Sequence, residues 1–129
     1  MTSRGPSNGR LLQLIALGHA VVGALVYPRE LGEIGRRRLV GSVGFRGGRS
    51  SAFWFMAPAP LLWMLGGLLH RAERADDADA LRSTSATSLI CAVIATICMP
   101  VSGFWLWIGV SARGLRDART ASFLDQDSR

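Results

Sequence analysis

The chain has 129 residues, enough for one domain, and its net charge of +6 comes from fifteen arginines and no lysine. Nucleic-acid-binding domains place such charge on one folded face, whereas these arginines flank long uncharged stretches of sequence. We therefore expect no nucleic-acid partner, and we expect the arginines to lie at the headgroups of a lipid bilayer.

Three uncharged stretches dominate the chain, at residues 11–27, 52–69 and 86–110. Every charged residue lies between or around them, which is the charge pattern of a membrane protein. As a helix, the third stretch would reach about 37 Å, more than the hydrocarbon core of a bilayer at about 30 Å. We predict an all-α fold, a small polytopic membrane helical bundle within residues 11–112. Its three spans are predicted at about residues 11–27, 52–70 and 86–110.

Residues 1–10 form a polar tail whose Gly, Pro and Ser content predicts disorder. The apolar run that follows also resembles a secretory signal peptide with a cleavage site after Ala24. Cleavage would leave the next, arginine-rich segment outside the cell, against the positive-inside tendency, so we favour a spanning helix.

Small residues mark one side of the first span, because Ala16, Ala20 and Ala24 recur every four residues. That spacing lets another helix backbone approach closely. The large apolar residues lie towards the opposite side, where we expect them to face lipid: Leu14, Val21 and Leu25.

The connection over residues 28–51 carries six arginines against two glutamates. A short interfacial helix is predicted over residues 29–40. Arg36, Arg37 and Arg38 are consecutive and form a candidate site for a phosphate or a lipid headgroup. The alternative is that this cluster only fixes the orientation of the chain in the membrane.

The second span contains Pro58 and Pro60, whose missing N–H groups predict a kink. A helix that began only at Pro60 would be too short to cross a bilayer, so we keep residues 52–70 as one bent span. The segment that follows His70 is the most acidic connection of the chain and should extend into water.

Pro100 interrupts the third span, and we predict a helix kink there. The alternative is a turn over residues 100–103, which makes the last block a hairpin and gives the bundle four segments. Its two arms would be only about 14 and 10 residues long, so we favour the single kinked span. Residues 113–129 are predicted to be a polar C-terminal tail.

The distribution of arginines predicts the orientation in the membrane. With three spans, the N-terminal tail and the second connection carry five arginines on one side, and the first connection and the C-terminal tail carry ten on the other. This bias predicts a multi-pass protein of the bacterial cytoplasmic (inner) membrane with its N-terminus outside and its C-terminus in the cytoplasm.

The string Met-Pro-Val-Ser-Gly-Phe-Trp at residues 99–105 stands inside the last apolar block, and Ala-Phe-Trp-Phe opens the second block at residues 52–55. With Gly18 and His19 in the first span, these residues resemble a bacterial family of small integral membrane proteins without an assigned function. The resemblance covers residues 11–112. It implies a membrane location and a compact helical fold, and it implies no particular activity.

His19 is the one ionisable side chain well inside a predicted span, which makes it a candidate functional group. Its expected partners are Gln13, a carbonyl near Pro100, or a polar face of the third span that includes Cys91, Cys98 and Ser102. The alternative is a structural imidazole that is hydrogen-bonded between helices. The candidate intramembrane polar site comprises His19, Cys98, Ser102 and Trp105.

Cys91 and Cys98 would lie about 10 Å apart along a helix, so they cannot form a disulfide with each other. No Cys-x-x-Cys or His-x-x-x-His spacing supplies further ligands. We therefore expect no metal and no cofactor.

The sequence contains no P-loop, dinucleotide fingerprint, nucleophile elbow or paired carboxylate site. The leading hypothesis is a non-enzymatic packing or accessory component that forms a homo-oligomer or contacts a larger membrane partner. One alternative is a small transporter or lipophile-binding protein with a pocket near His19. The other is a membrane enzyme that acts on a lipid or isoprenoid with His19 as acid or base.

Overall fold

The structure, a computed structural model, describes residues 6–36, 47–98 and 103–126, with the backbone alone for residues 122–126. The described residues form helices and no strand, which confirms the predicted all-α fold. The helices are α1 (Asn8–Val26), α2 (Pro28–Arg36), α3 (Gly48–Met56), α4 (Pro58–Arg74), α5 (Ala78–Cys98) and α6 (Phe104–Gln126).

The first helix begins three residues earlier than predicted. Ser7 is its N-cap, and the Ser7 side chain accepts a hydrogen bond from a backbone N–H of the first turn at 3.3 Å. Asn8 is only 2% exposed and therefore belongs to the interior of the bundle. The predicted disorder over residues 1–10 is wrong for residues 8–10, and residues 1–5 lie outside the described part of the chain.

The predicted second span is a nearly continuous helical rod made of α3 and α4. Ala57, which separates them, has helical backbone angles (φ −55°, ψ −36°), and its N–H donates to the Phe53 carbonyl at 2.9 Å. Pro58 begins α4, where a missing N–H costs little. The rod covers Gly48–Arg74, four residues beyond the predicted span at each end.

The last apolar block forms a hairpin rather than one kinked helix. α5 and α6 are antiparallel neighbours, because Ser88 Oγ lies 2.8 Å from Ser111 Oγ and Ser85 lies against Gly114. In one straight helix, Ser88 and Ser111 would be about 34 Å apart. The predicted single span over residues 86–110 is therefore wrong, and the hairpin alternative describes the chain.

The hairpin forms because small residues of α5 match small residues of α6 that lie beyond the apolar block. Gly114 and Ala118 are buried although they belong to the segment predicted to be a polar tail. That segment is helical as far as Gln126, so the prediction for residues 113–126 is wrong. The predicted kink at Pro100 lies outside the described residues.

The long helices form an antiparallel bundle in which each has two neighbours: α1 contacts α4 and α6, and α5 contacts α4 and α6. α1 and α4 run in opposite directions, since Gly9 approaches Gly66 and Gly23 approaches Met56. We call the end that holds the start of α1 the Asn8 end, and the end that holds α2 the α2 end.

The described parts of both termini lie at the Asn8 end. The Asn8 Nδ2 group donates a hydrogen bond to Asp117 Oδ2 of α6 at 2.7 Å. The predicted three-span arrangement would instead place Asn8 and Asp117 at opposite ends of the bundle. The two residues meet because α6 returns along α5 instead of continuing its direction.

Residue size separates the inside of the bundle from its outside. Many of the buried positions are Gly, Ala, Ser or Thr, whereas eighteen large hydrophobic side chains are exposed in the described part of the chain. The most exposed of them include Leu25 (75%), Ile97 (74%) and Trp54 (69%). On the α3–α4 rod the exposed apolar band runs from Phe53 to Leu68, about 22 Å. The α1 residues predicted to face outward are all exposed: Leu14, Val21 and Leu25.

Within the described ranges, three helical segments are long and apolar enough to cross a membrane, namely α1, the α3–α4 rod and α5. The predicted number of long apolar helices is thus found, with α5 in place of the longer third span. α6 has a shorter apolar part than these three segments. Only nine uncharged residues precede its charged part, which contains Arg113, Arg116, Asp117 and Arg119.

Engineered cysteines test the hairpin. In a Cys91→Ala, Cys98→Ala background, Ser88→Cys with Ser111→Cys should form an intramolecular disulfide on mild oxidation, because the two hydroxyl oxygens are 2.8 Å apart. Gel migration after alkylation, with and without reductant, measures its yield. The control pair, Ile97→Cys with Ser111→Cys, should form no intramolecular disulfide, because Ile97 lies about 14 Å further along α5 than Ser88. Equal yields in both pairs would contradict the hairpin.

Two glycines bring the backbones of α1 and α4 together. A Cβ atom on Gly66 would lie 2.7 Å from the Gly9 carbonyl oxygen and 2.8 Å from Gln13 Cγ, closer than side chains pack. The adjacent Gly67 has room, since the nearest atom to its Cβ would be Gln13 Nε2 at 3.7 Å. The pair therefore offers a matched test of this interface.

Gly66→Ala should lower the free energy of unfolding by about 1–3 kcal/mol, because the added methyl group overpacks the helix contact. Gly67→Ala should leave that free energy unchanged or raise it by up to about 1 kcal/mol through helix propensity. Thermal unfolding of the two purified variants makes the comparison. Equal melting temperatures would show that the backbones are not in close contact at Gly66.

Candidate functional site

A cleft of about 750 Å³ lies between α1 and α6, with Leu62 and Phe55 also in its walls. Along α1 it extends from Leu11 to Val26, about 22 Å. α1 and α6 contact each other less extensively than α1 contacts α4 or α5 contacts α6, and this leaves the space. Among the described lining residues, His19 has the only polar side chain.

His19 lies near the middle of α1, eleven residues after its start and seven before its end. Its Nε2 atom is 2.7 Å from the carbonyl oxygen of Phe55. Because a carbonyl oxygen can only accept, Nε2 carries the proton of this hydrogen bond, and in the neutral ring Nδ1 is then an acceptor. The hydrogen bond thus leaves Nδ1, the acceptor nitrogen of the ring, for a ligand.

Two phenylalanines hold the imidazole ring of His19 by stacking. The ring centroid of Phe55 lies 4.6 Å from that of His19 with an angle of 15° between the planes, and Phe104 lies at 5.9 Å and 29°. Contacts of this geometry, together with the hydrogen bond, fix the orientation of the ring in the cleft wall.

The acceptor for His19 is a backbone carbonyl, but it belongs to Phe55 and not to the predicted region near Pro100. Phe55 lies two residues before Ala57, where the α3–α4 rod is interrupted. The proline pair gives no signal for this acceptor, because Pro58 and Pro60 remove the donors for the carbonyls of Trp54 and Met56, whereas the Phe55 carbonyl is four residues before Ala59, which keeps its N–H.

Two other predicted members of the polar site do not line the cleft with His19. Cys98 is exposed at the end of α5, and Trp105 is 59% exposed. Ser102 and Pro100 lie outside the described residues.

The buried side of α5 overlaps the predicted polar face only in part. Ser88 of that face is buried, as are Ser85, Ala92 and Thr96, whereas Cys91 and Cys98 are exposed. The buried residues follow helical spacing, and Ser85 and Ser88 among them lie against α6. The inward orientation predicted for the two cysteines is therefore wrong.

A buried polar contact joins α5 and α6. The Trp107 Nε1–H donates to Ser88 Oγ at 2.7 Å, and Ser88 Oγ lies 2.8 Å from Ser111 Oγ. Because Ser88 accepts from Trp107, its own hydroxyl hydrogen is available for Ser111. A buried network whose members are paired stabilises one register of the hairpin.

A second set of polar residues joins the start of α1 to α4 and α6. We call it the Asn8 clasp, and it comprises Ser7, Asn8, His70, Glu73 and Asp117. Glu73 accepts from the backbone N–H groups of Asn8 (2.7 Å) and Gly9 (3.3 Å). Its carboxylate thus lies at the positive end of the α1 dipole. Ser7 Oγ lies 2.9 Å from His70 Nδ1, and Asn8 Nδ2 donates to Asp117.

The Asn8 clasp was not predicted, because residues 1–10 resemble a disordered tail and the segment after His70 resembles a solvated connection. The available signal was Ser7, a good N-cap residue that stands directly before the helical run. Its partners on α4 and α6 carry no local signal, since they come together only in the folded bundle.

Of the predicted headgroup arginines, the structure describes Arg36, which lies at the α2 end. Arg36 is the exposed last residue of α2, and its Nε–H donates to the Gly32 carbonyl at 3.3 Å. Arg37 and Arg38 lie outside the described residues. Arg49 forms a 3.0 Å ion pair with Glu33, which joins α3 to α2. Binding of headgroups by these arginines stays a prediction.

The part of the chain that the structure describes contains no group of three or more His, Cys, Asp or Glu side chains able to hold a metal ion. The fold and the cleft define a small all-helical bundle with three long apolar helices and a lateral apolar cavity. The chain belongs to DUF6463, a family of unknown function, whose family model matches residues 3–121. No curated protein and no solved structure matches it.

Membership of this family agrees with the expectation of a family without an assigned function. The significance of the string at residues 99–105 and the bacterial origin stay predictions. The family match extends beyond the predicted region of residues 11–112 at both ends, and it includes the residues of the Asn8 clasp.

Glu73→Gln should lower the free energy of unfolding by about 1–3 kcal/mol, because the amide loses the charge that pairs with the start of α1. Asp76→Asn is the matched control, since it removes one exposed negative charge from the same end of the bundle. Thermal unfolding of both purified variants measures the difference. A loss of equal size in both would assign the effect to net charge and contradict the clasp.

Proposed function

We propose that the chain is an integral protein of the bacterial inner membrane that binds a lipophilic small molecule in the cleft between α1 and α6, without catalysing its conversion. The observation that carries this proposal is the cleft itself. Its volume of about 750 Å³ and its apolar walls with a single polar side chain, His19, are typical of small-molecule sites.

The exposed apolar band supports the membrane location. Contiguous apolar patches on a soluble monomer rarely exceed a few hundred Å². Here eighteen large hydrophobic side chains are exposed in the described residues, while many of the helix contacts use small ones. In hydrocarbon this distribution is favourable, since helices there associate by close packing rather than by burying large apolar groups.

The hairpin changes the orientation that the arginines favour. Counted along the sequence, the C-terminal arginines join the side of the N-terminal tail and the second connection, which gives nine there against six in the first connection. By the positive-inside rule, the Asn8 end then faces the cytoplasm. This proposal replaces the predicted orientation with the N-terminus outside.

The cleft supports ligand binding more directly than the accessory role. That role was motivated by small residues on the first and third spans, and Ala16 and Ser88 among them are buried inside the bundle. A homo-oligomer or a larger partner stays a prediction. Catalysis by His19 receives less support, because no second polar side chain lines the described part of the cleft.

The substitution Gly18→Trp should fill the cleft and prevent a lipophile from binding there. Gly18 lines it, and a Cβ atom on Gly18 would meet no atom within 4 Å, so a large side chain can enter the cleft without displacing a helix. Solvent extraction of the washed protein followed by mass spectrometry should find a lipophile bound to the wild type. Gly18→Trp should retain at least tenfold less of it.

Gly109→Trp is the matched control. Gly109 is exposed on α6, has the same free space around its Cβ position and does not line the cleft. This variant should retain the lipophile at the wild-type level. Equal retention by both variants would overturn the ligand site, and full-length folded protein in the supernatant of a detergent-free lysate after ultracentrifugation would overturn the membrane location.

A further inference from the structure

We propose that the lipophile in the cleft carries a hydroxyl group that donates a hydrogen bond to Nδ1 of His19. The inference rests on the proposed function and adds the chemical class of the ligand, a neutral hydroxylated lipophile such as a phenol or a long-chain alcohol. Its basis is the hydrogen-bonding state of the one polar side chain that lines the cleft.

The Nε2–H of His19 is already used, since it donates to the Phe55 carbonyl at 2.7 Å. The neutral imidazole has one donor and one acceptor, so the group that it offers to a ligand is the Nδ1 acceptor. A ligand that brings a donor satisfies this acceptor. A ligand that brings only an acceptor, such as an ether, an ester or a ketone, does not.

The cleft walls disfavour charged ligands. No Arg, Lys, Asp or Glu lines the described part of the cleft, so a carboxylate or a phosphate would enter an apolar space without a counter-charge. A neutral donor fits the site without this penalty.

The depth of His19 separates a free lipophile from a bilayer phospholipid. His19 lies about 16 Å along the helix from Asn8 and about 10 Å from Val26, between the exposed apolar residues Leu14 and Val26 of α1. Phospholipid headgroups lie at the membrane surface, about 15 Å from the centre of a hydrocarbon core about 30 Å thick. A headgroup at that surface would have to reach below the end of α1 to meet His19, whereas a free lipophile within the hydrocarbon meets it directly.

The aromatic rings beside His19 guide the choice of probe. Phe55 and Phe104 both line the cleft and both stack on the imidazole. A phenol can place its hydroxyl at Nδ1 while its ring packs against these side chains. Para-octylphenol is therefore a suitable probe, and its methyl ether, para-octylanisole, keeps the ring and chain but lacks the donor.

Titration calorimetry of the purified protein in detergent micelles should show that para-octylphenol binds at least tenfold more tightly than para-octylanisole. A buried acceptor left without its partner accounts for a difference of this size. Detergent micelles without protein provide the blank for partitioning of both probes. This comparison uses the wild-type chain and does not depend on the folding of a variant.

Two substitutions assign the preference to His19. His19→Phe removes the acceptor and should bind both probes with equal affinity. His19→Gln supplies an amide N–H for the Phe55 carbonyl and an amide oxygen for the ligand, so it should keep a preference for the phenol. Circular dichroism melting of both variants establishes that the helices are intact.

The outcomes distinguish this inference from the proposed function. Equal wild-type affinities for the two probes, abolished by Gly18→Trp, would overturn the hydroxyl while the cleft remains a binding site. A phenol preference that persists in His19→Phe would also overturn the inference, because the hydroxyl would then have another partner. Binding of both probes that is unaffected by Gly18→Trp would overturn the proposed function itself.

Discussion

Close approach of helix backbones is the constraint on which the rest of the structure depends. Where α1 meets α4, Gly9 and Gly66 leave no space for a Cβ atom, and where α5 meets α6, Gly114 lies against the side chain of Ser85. Interfaces this narrow exclude large side chains, so many leucines, valines and tryptophans of the same helices lie outside. In water, each Å² of apolar surface left exposed forgoes about 25 cal/mol. In the membrane that we propose, that surface contacts hydrocarbon.

The helix pairs of the bundle do not all approach equally closely, and the cleft lies where the approach is least close. The α1–α4 and α5–α6 pairs have the most extensive contacts in the bundle, whereas α1 and α6 lie further apart. At the Asn8 end α1 and α6 are joined, since Asn8 bonds to Asp117 while Glu73 accepts from the start of α1. Further along, the cleft lies between the two helices, and His19 and Phe104 stack in its wall. The cleft thus lies in the part of the α1–α6 interface that is remote from the Asn8 clasp.

The apolar stretches and the outward side of α1 were predictable, because each depends on local sequence. The hairpin was not, since a 25-residue apolar block fits one long helix or two short ones. What decides between them is the match of Ser88 with Ser111, which lies just beyond that block. The clasp was not predicted because Asn8, Glu73 and Asp117 lie in three separate segments, and the composition of each resembles that of a segment in contact with water.

His19 was identifiable from sequence as a polar group within an apolar helix, but its surroundings decide its chemistry. The Phe55 carbonyl accepts the Nε2 proton, and the rings of Phe55 and Phe104 stack on the imidazole. A ring held in this way keeps one committed donor and one acceptor. In the function that we propose, that acceptor discriminates between ligands by hydrogen bonding.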